Sequence, residues 1–595
     1  MTTNTPFYKL KAVGFDDVLE HRRPRAASAL FDLPVEILRL IFESVESSSL
    51  AALALVNRDC CQLARSRQFV DVRVDYSNTS EALIRHLGSE IKEREMKVGF
   101  NLLPSLGACI RRLTVSIDVG TIRQRMGMQK AAFSNNHWHG LNLDEAEDSR
   151  WKSIFTAINE SYLPLVQAII CSNKTLPHLD TLDWRQPSYL SQDFYNALAC
   201  SSIQHLKLCH PINKTFKISL SPPRWPLRTL HLELASELQE KETTAMLCAS
   251  ILRLCAPSLE TLVWVHHRHN DRQTFGDSPL PKFPCLRNLH IQMLELADRS
   301  IMDAFLRSKL VNFNLLLETR LLNEALGSCG KISTLKAFSS SQPPFSFLRA
   351  NTQLSKLDFD CAVFSSESLE IHVLPILSTF SNLTSLRISW PKSCSLLPET
   401  GLRLMGNLHT IKQLCISCGR LRDWRRTWKV DHTAIRQHLS PLRYLQRLAL
   451  IGDTYSLRAD SLNSERYYVD TFATESDLGY SGVPLDGVPS RIRRLMLDPK
   501  LGKPFWEKRH KEMMLAEGKQ YIDVFPGLEW IYLGQRVMCI QVDNSWMKSR
   551  RTVSMVEMTK KTANLNKMFG ISPENHDRFR TRNVPSKDET DDITS

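Results

Sequence analysis

The chain has 595 residues, 43% of them hydrophobic and 23% charged, so most of it can bury a core. No run of about 18 uncharged apolar residues appears, and the first residues lack the basic-then-apolar pattern of a secretory signal. The 15 cysteines, an odd number, are scattered through apolar stretches, a distribution typical of reduced thiols. We therefore expect a soluble protein of the cytoplasm, the nucleus or both, with no membrane partner. The net charge of +13 is spread along the chain and not collected in a stripe, which argues against nucleic acid as a partner.

Three short helices are predicted within residues 29–67, after a segment, 1–28, that we expect to be disordered. The first follows Asp32, a helix-capping residue type, and has Pro34 in its first turn. Its apolar residues recur every four positions and form a stripe that Leu38 and Phe42 widen: Leu33, Ile37, Ile41 and Val45. The serines at 47–49 are expected to end this helix and to cap a second, Leu50 to Val56. Asn57 is expected to cap a third, Arg58 to Ala64.

So many apolar side chains on so short a segment must be buried against other protein surface, because a domain under about 40 residues rarely stabilises itself. That surface belongs to the rest of the chain, to a partner, or to both. The simplest alternative is a core helical hairpin of a larger α-domain.

The segment resembles an F-box. Leu33-Pro34, then Glu36-Ile37, the Ile41-Phe42 pair and Val56-Asn57-Arg58 follow that family's pattern, whereas Cys60-Cys61 stands near a position where the family often has Trp. The resemblance implies docking on the Skp-type adaptor of a cullin–RING ubiquitin ligase. The adaptor-facing residues it implies, whose division between the F-box core and the adaptor stays open, are Leu33, Pro34, Ile37, Ile41, Phe42, Leu53, Val56 and Leu63.

The rest of the chain repeats one phrase: aliphatic, two residues, aliphatic, one residue, aliphatic. Before the first copy, Val70, Val72 and Val74 alternate as in a strand. Some fourteen copies follow, at Ile110-Leu113-Val115, Leu179-Leu182-Trp184, Ile203-Leu206-Leu208, Leu227-Leu230-Leu232, Leu259-Leu262-Trp264, Leu286-Leu289-Ile291, Leu310-Phe313-Leu315, Ile332-Leu335, Leu354-Leu357-Phe359, Leu383-Leu386-Ile388, Ile411-Leu414-Ile416, Leu445-Leu448-Leu450, Ile492-Leu495-Leu497 and Leu528-Ile531-Leu533.

This spacing is typical of leucine-rich repeats. The last two aliphatics of each phrase are predicted to point inward from a short strand, and stacked units to form a parallel sheet with helices outside. The predicted fold is thus an α/β solenoid, residues 68–547, in the shape of an irregular leucine-rich-repeat horseshoe. The Asn or Cys ladder usual in that family is missing, so the repeats are degenerate. One inserted loop, after about residue 120, is expected to lead into a helix from Trp151 to Ile170. A short F-box with long, irregular repeats resembles the F-box families expanded in filamentous fungi.

Other motifs carry weak chemical signals. Gly330-Lys331 lacks the remaining residues of a phosphate loop, and the neighbouring histidines at 266, 267 and 269 would point apart in a loop. Cys415 and Cys418 form a lone CxxC on a repeat strand, where buried thiols are expected. No constellation of catalytic roles appears, so we expect neither an enzyme nor a cofactor or metal.

The stretch RDWRRTWK has two interpretations. It is either an exposed anchor for a target protein, through Trp424, Trp428 and Arg425, or the buried stripe of an outer helix.

The tail, residues 548–595, is polar and is expected to be disordered. Its basic pieces, like HRRPR at His21 to Arg25, resemble nuclear import signals. Taken together, the sequence predicts a non-catalytic substrate receptor that binds the Skp-type adaptor and, through it, cullin, while the repeats bind an unknown protein target. The alternative is a binding scaffold outside an active ligase.

Overall fold

A computed structural model describes most of the chain. The described residues are 30, 33–96, 105–117, 121–122, 153–172, 175–186, 188–209, 211–212, 224–234, 241–266, 272–273, 281–296, 299–316, 320–359, 364–390, 397–418, 428–451, 453–454, 499–533, 536–543 and 550–555. They fall into two compact units that divide between Lys309 and Leu310.

Unit 1 begins with three helices: α1, Val35–Ser44; α2, Ser47–Ala54; and α3, Arg58–Gln68. Pro34 occupies the N-cap position of α1. The prediction that the serines at 47–49 end α1 and cap α2 is wrong. Helix α1 ends before them, at Ser44, and they form the first turn of α2, after Glu46 at its N-cap. The predicted cap of α3 is confirmed, since the Asn57 side chain accepts a hydrogen bond from the backbone N–H of Cys60 at 2.7 Å.

A parallel sheet follows in unit 1, built from the predicted phrases. Its seven strands pair in chain order and are β1, Asp71–Val74; β2, Arg112–Val115; β3, Thr181–Trp184; β4, His205–Cys209; β5, Thr229–Leu234; β6, Thr261–His266; and β7, Asn288–Gln292. In register across β2 to β7, one inward row is Leu113, Leu182, Leu206, Leu230, Leu262 and Leu289, and every member is buried. The sheet therefore stacks its repeats through one continuous apolar layer.

Helices connect these strands: α4, Asn78–Met96; α5, Ser153–Cys171; α6, Gln192–Ala199; α7, Lys241–Cys255; and α8, Ser300–Leu306. Helix α5 confirms the helix expected after the insertion, and its turn Ile158–Tyr162 is π-helical. By length and mean hydropathy α5 could cross a membrane. Its residues Ile158, Val166 and Ile169 are buried within the protein, as in the core helix of a globular fold.

Unit 2 continues the same pattern. Its strands are β8, Asn312–Leu316; β9, Ala337–Ser339; β10, Lys356–Phe359; β11, Ser385–Trp390; β12, Gln413–Cys418; β13, Arg447–Ile451; β14, Trp530–Leu533; β15, Arg536–Asp543; and β16, Arg550–Met555. Strands β8 to β14 are parallel, whereas β15 and β16 pair antiparallel beyond them. Its helices are α9, Arg320–Ser328; α10, Phe345–Ala350; α11, residues 366–377; α12, Glu399–Gly406; α13, His432–Leu439; and α14, Pro499–Val524.

One copy of the repeat phrase begins three residues later in the chain than the sequence predicts. Strand β9 aligns Phe338 with Phe313 on one side and with Leu357 on the other, so the phrase begins at Leu335 and not at Ile332. The copy at Ile492, Leu495 and Leu497 lies outside the described residues, and β13 pairs directly with β14.

The predicted tail is wrong at its start, because Arg550–Met555 forms β16, six pairs in register with β15. The other residues of the tail, from 556 on, and the predicted N-terminal segment, 1–28, lie outside the described residues.

Hydroxyl groups connect successive repeats where the expected Asn or Cys ladder is missing. The residue just before the first aliphatic of a phrase donates a hydrogen bond to a backbone carbonyl of the preceding repeat: Ser202 to Leu179 at 2.7 Å, Ser258 to Leu227 at 2.9 Å, Thr334 to Leu310 at 2.7 Å and Thr410 to Leu383 at 2.6 Å. The position of Thr334 independently places the displaced phrase at Leu335.

Candidate docking surface on the N-terminal helices

The three N-terminal helices share a small core. Leu38 and Phe42 of α1 pack with Leu63 of α3, and each is at most 4% exposed. Ile41 and Leu53 are half-buried against this core. These contacts bury one side of α1. Each such side chain contributes about 1.5–3 kcal/mol to the free energy of folding when it is buried.

The other side of α1 is apolar and exposed. Ile37 and Leu40, three positions apart on α1, share one side and are 42% and 60% exposed, and Leu33, just before the helix, is 37% exposed. Leu55 and Val56, at the end of α2, are 88% and 66% exposed. Five of the nine large apolar side chains exposed in the described part of the chain thus lie between residues 33 and 56. Exposed apolar side chains concentrated in one short segment are typical of interaction sites.

Helix α3 anchors these helices to the first repeat. Its Gln62 is buried and donates from Nε2 to the backbone carbonyl of Ser105 at 3.1 Å. The loop it contacts is held in turn by Glu90 of α4, whose carboxylate accepts hydrogen bonds from the Ser105 hydroxyl at 2.7 Å and the Leu106 N–H at 2.9 Å. The core of the three helices and the first repeat are therefore coupled through buried polar groups as well as apolar contact.

Gly107 makes this junction close. An added Cβ there would lie 2.0 Å from the backbone carbonyl oxygen of Thr175, so the chain leaves no room for a side chain. Beside it, Cys109 is completely buried and packs against Phe69, which follows α3.

The first of the paired cysteines of α3, Cys60, is a thiol of the interior, whereas Cys61 is half-buried. Cys60 is 2% exposed, and burial raises the pKa of its thiol. A raised pKa keeps the group protonated and unreactive at neutral pH. Cys60 thus lies on the side of α3 that is buried against the rest of the protein.

The family model of the F-box domain matches residues 30–71, a range that covers all three helices and ends at the first residue of β1. This chain carries an F-box domain. No curated protein matches the chain significantly. Among solved structures, one match is the crystal structure of a TLR13–ssRNA13 complex, at 16% identity and a TM-score of 0.27, covering 47% of this chain and 37% of that chain. So low a score carries no argument about fold or function.

The structure divides the eight residues predicted to face the adaptor. Leu33, Pro34, Ile37 and Val56 are exposed on the F-box, whereas Ile41 and Leu53 are half-buried. Phe42 and Leu63 are buried in the F-box core, so in the division that the sequence left open they belong to the internal packing of the three helices. The sequence missed Leu40 and Leu55, because helical periodicity alone does not say which side of α1 meets α3.

The other candidate residues are dispersed. Trp424 and Arg425 lie outside the described residues. Trp428 lies in a short strand, Trp428–Lys429, paired with Asp453–Thr454, so the interpretation that placed both tryptophans on one outer helix is wrong at Trp428. Cys415 is a buried thiol, as expected, and His266 is buried at the end of β6. Within the described residues, no group of His, Cys, Asp or Glu is arranged to hold a metal ion.

Proposed function

We propose that this protein is a substrate receptor of an SCF-type cullin–RING ubiquitin ligase. The F-box docks on the Skp-type adaptor through its exposed apolar side chains, and the adaptor connects the protein to cullin. The repeats hold a protein target. The single observation that carries the proposal is the exposed patch Leu33, Ile37, Leu40, Leu55 and Val56 on an F-box whose own core is already filled.

The protein contributes proximity rather than bond chemistry in this function. Tethering raises the local concentration of target lysines near a ubiquitin-conjugating enzyme bound to the same assembly. The F-box and the first repeat are joined by Gln62, Glu90 and the close approach at Gly107, and such a joint limits how far a bound target can swing. Both the cytoplasm and the nucleus contain the partners this role requires, and we propose either or both as its location.

The test is co-purification of adaptor and cullin from cells with the tagged full-length chain. The wild type should recover both. A triple variant, Leu33→Ala, Ile37→Ala and Leu40→Ala, should recover neither, since it removes contact area without touching the buried Leu38, Phe42 and Leu63. The matched control is Leu165→Ala with Ile371→Ala, which truncates exposed apolar residues elsewhere, 39% and 56% exposed. Equal recovery by the triple variant and its control would refute docking through this patch.

The same experiment addresses the alternative of a scaffold outside an active ligase. The departure at Cys60-Cys61 from the usual F-box pattern motivates that alternative. Recovery of adaptor without cullin would favour it.

A further inference from the structure

The strand-start edge of each unit is defined here as the residue just before each parallel strand together with the strand's first residue. From β1 to β6 of unit 1 the charges on this edge compensate one another across neighbouring strands. Arg112 pairs with Asp71 at 3.2 Å, Arg111 with Asp180 at 3.9 Å, and Arg228 with Glu260 at 2.6 Å. This part of the edge is therefore a ladder of paired charges.

The strand-start edge of unit 2 shows no such pairing from β9 to β13 among the described residues. From β9 to β13 it carries four cations: Lys336, Lys356, Lys412 and Arg447. None of them forms an ion pair with another residue in the described part of the chain. The one carboxylate at an edge position of this unit is Glu529, before β14 and outside the row of cations.

Backbone hydrogen bonds fix the order of this row. The Lys336 carbonyl accepts from the N–H of Lys356 at 3.1 Å, and the Lys412 carbonyl accepts from the N–H of Arg447 at 3.0 Å. Neighbouring strands lie about 4.8 Å apart, so the four steps from β9 to β13 span about 19 Å. Lys336 and Lys412 are exposed, whereas Lys356 and Arg447 are half-buried.

A recess opens on the same edge. The turns that precede β12 and β13 line a recess of about 480 Å³ with His409, Ser440, Pro441, Arg443 and Tyr444. Arg443 is exposed, and Tyr444 is 66% exposed. The recess adds a fifth cation, Arg443, and an aromatic ring with a hydroxyl group, Tyr444, in the turn before β13, a combination common at protein interaction sites.

We propose that this edge, Lys336, Lys356, Lys412, Arg443 and Arg447, binds an acidic, extended segment of a protein partner. Side chains on one side of an extended chain recur about every 6.8 Å, so three or four alternating carboxylates match the length of the row. Duplex DNA carries one charge per about 1.7 Å of its axis, far more than five cations over this length can neutralise. The spacing therefore fits Asp and Glu side chains better than a phosphate backbone.

This inference rests on the proposed function for one point, that the acidic partner is the target brought to the ligase. Binding at the edge itself does not require the adaptor. The two proposals can fail separately, because one is measured by recovery of adaptor and the other by direct binding to the full-length chain.

The experiment is fluorescence anisotropy with the full-length protein at about 50 mM salt, where exposed charges are weakly screened. The probe is a labelled peptide of about 12 residues that alternates Glu and Ala, long enough to cover the row. Its control replaces each Glu with Gln. A labelled single-stranded DNA oligonucleotide tests the competing class of partner.

The edge variant is Lys412→Gln with Arg443→Gln, two exposed cations. The matched variant is Arg349→Gln with Arg403→Gln, which removes the same charge from exposed positions on helices α10 and α12 of the same unit. We expect the edge variant to weaken Glu-peptide binding about five- to tenfold, and the matched variant to change it less than about twofold. Thermal melts of the two variants should agree, since neither touches the core.

Equal loss in both variants would overturn the proposal, because the effect would then follow net charge alone. So would equal binding of the Glu and Gln peptides, or no binding by the wild type. Tighter binding of the oligonucleotide, weakened by the edge variant, would assign the edge to nucleic acid and would overturn the acidic-protein partner.

Discussion

Thr410 donates a hydrogen bond from Oγ1 to the backbone carbonyl of Leu383, 2.6 Å away on the preceding repeat. Thr334 makes the same contact with Leu310 at 2.7 Å. The donors all stand just before the first aliphatic of a phrase, as Ser202 and Ser258 do in unit 1. These hydroxyls satisfy carbonyl groups where one repeat passes to the next, a role that the missing Asn ladder would otherwise fill.

The first prediction concerns this contact. Thr410→Val keeps the shape of the side chain but leaves the Leu383 carbonyl without its hydroxyl donor, so we expect a loss of about 1–2 kcal/mol in unfolding free energy. Urea denaturation of the full-length chain measures it. Thr400→Val, at an exposed threonine of α12 whose hydroxyl bonds a side chain and not a repeat carbonyl, is the control. An equal loss in both variants would show that the repeat carbonyl is not what matters.

The second prediction concerns the division of the F-box residues. Phe42→Ala should cost about 3–5 kcal/mol and Leu63→Ala about 2–5 kcal/mol, because both side chains fill the F-box core. Ile37→Ala and Leu40→Ala should each change stability by less than about 1 kcal/mol, since 42% and 60% of these residues are exposed. Thermal unfolding followed by circular dichroism separates the two pairs. Similar destabilisation by Ile37→Ala would mean that this side of α1 is covered by the chain itself.

The third prediction concerns Gly107. A methyl group there would meet the Thr175 carbonyl oxygen at 2.0 Å, and backbone cannot move aside as a side chain can. Gly107→Ala should therefore cost about 3 kcal/mol. Gly330→Ala is the matched control, because a Cβ at Gly330 meets nothing within 4 Å. Limited proteolysis between α4 and α5 should show the loosened junction in the first variant and leave the second unchanged.

The fourth prediction is a pH dependence of stability at His432. Its Nδ1 lies 3.0 Å from the Tyr521 hydroxyl, and burial lowers the pKa of the imidazole to about 4. The charged groups that face it are Glu517, Arg436 and Asp431. Because the folded pKa is below the unfolded value of about 6.5, the contribution to stability is complete above pH 6.5 and is lost as the pH falls toward 4.

The measurement compares urea unfolding of wild type and His432→Asn at pH 7.5 and pH 5.5. The asparagine amide keeps a polar group near Tyr521 but does not titrate. The wild type should lose about 1.4 kcal/mol more than the variant between these pH values, since only the unfolded wild type takes up the additional proton. Identical pH dependence in the two proteins would mean that His432 titrates normally when folded.

Much of the fold follows from local pattern. The phrase at Leu182 and Trp184 predicts an inward-facing strand because alternation places both side chains on one side, and the strand is there with both buried. Asn57 predicts the start of α3 because its side chain can accept a hydrogen bond from a free N–H of the first turn, that of Cys60. The phrase at Leu335 was displaced because Ile332, three residues earlier and also buried, satisfies the same local pattern. Only the pairing of β9 with its neighbouring strands shows which of the two residues begins the phrase.

What the sequence by itself determined is therefore the three F-box helices and the succession of parallel strands, since caps and apolar periodicity act within a few residues. Tertiary structure decided which side of α1 is core and which is exposed, because that depends on where α3 packs against Leu38 and Phe42. It also decided that the charges near Arg112 are paired, while Lys412 has no ion pair within the described part of the chain. Both outcomes depend on which residues far apart in the chain become neighbours, and local pattern carries no such information.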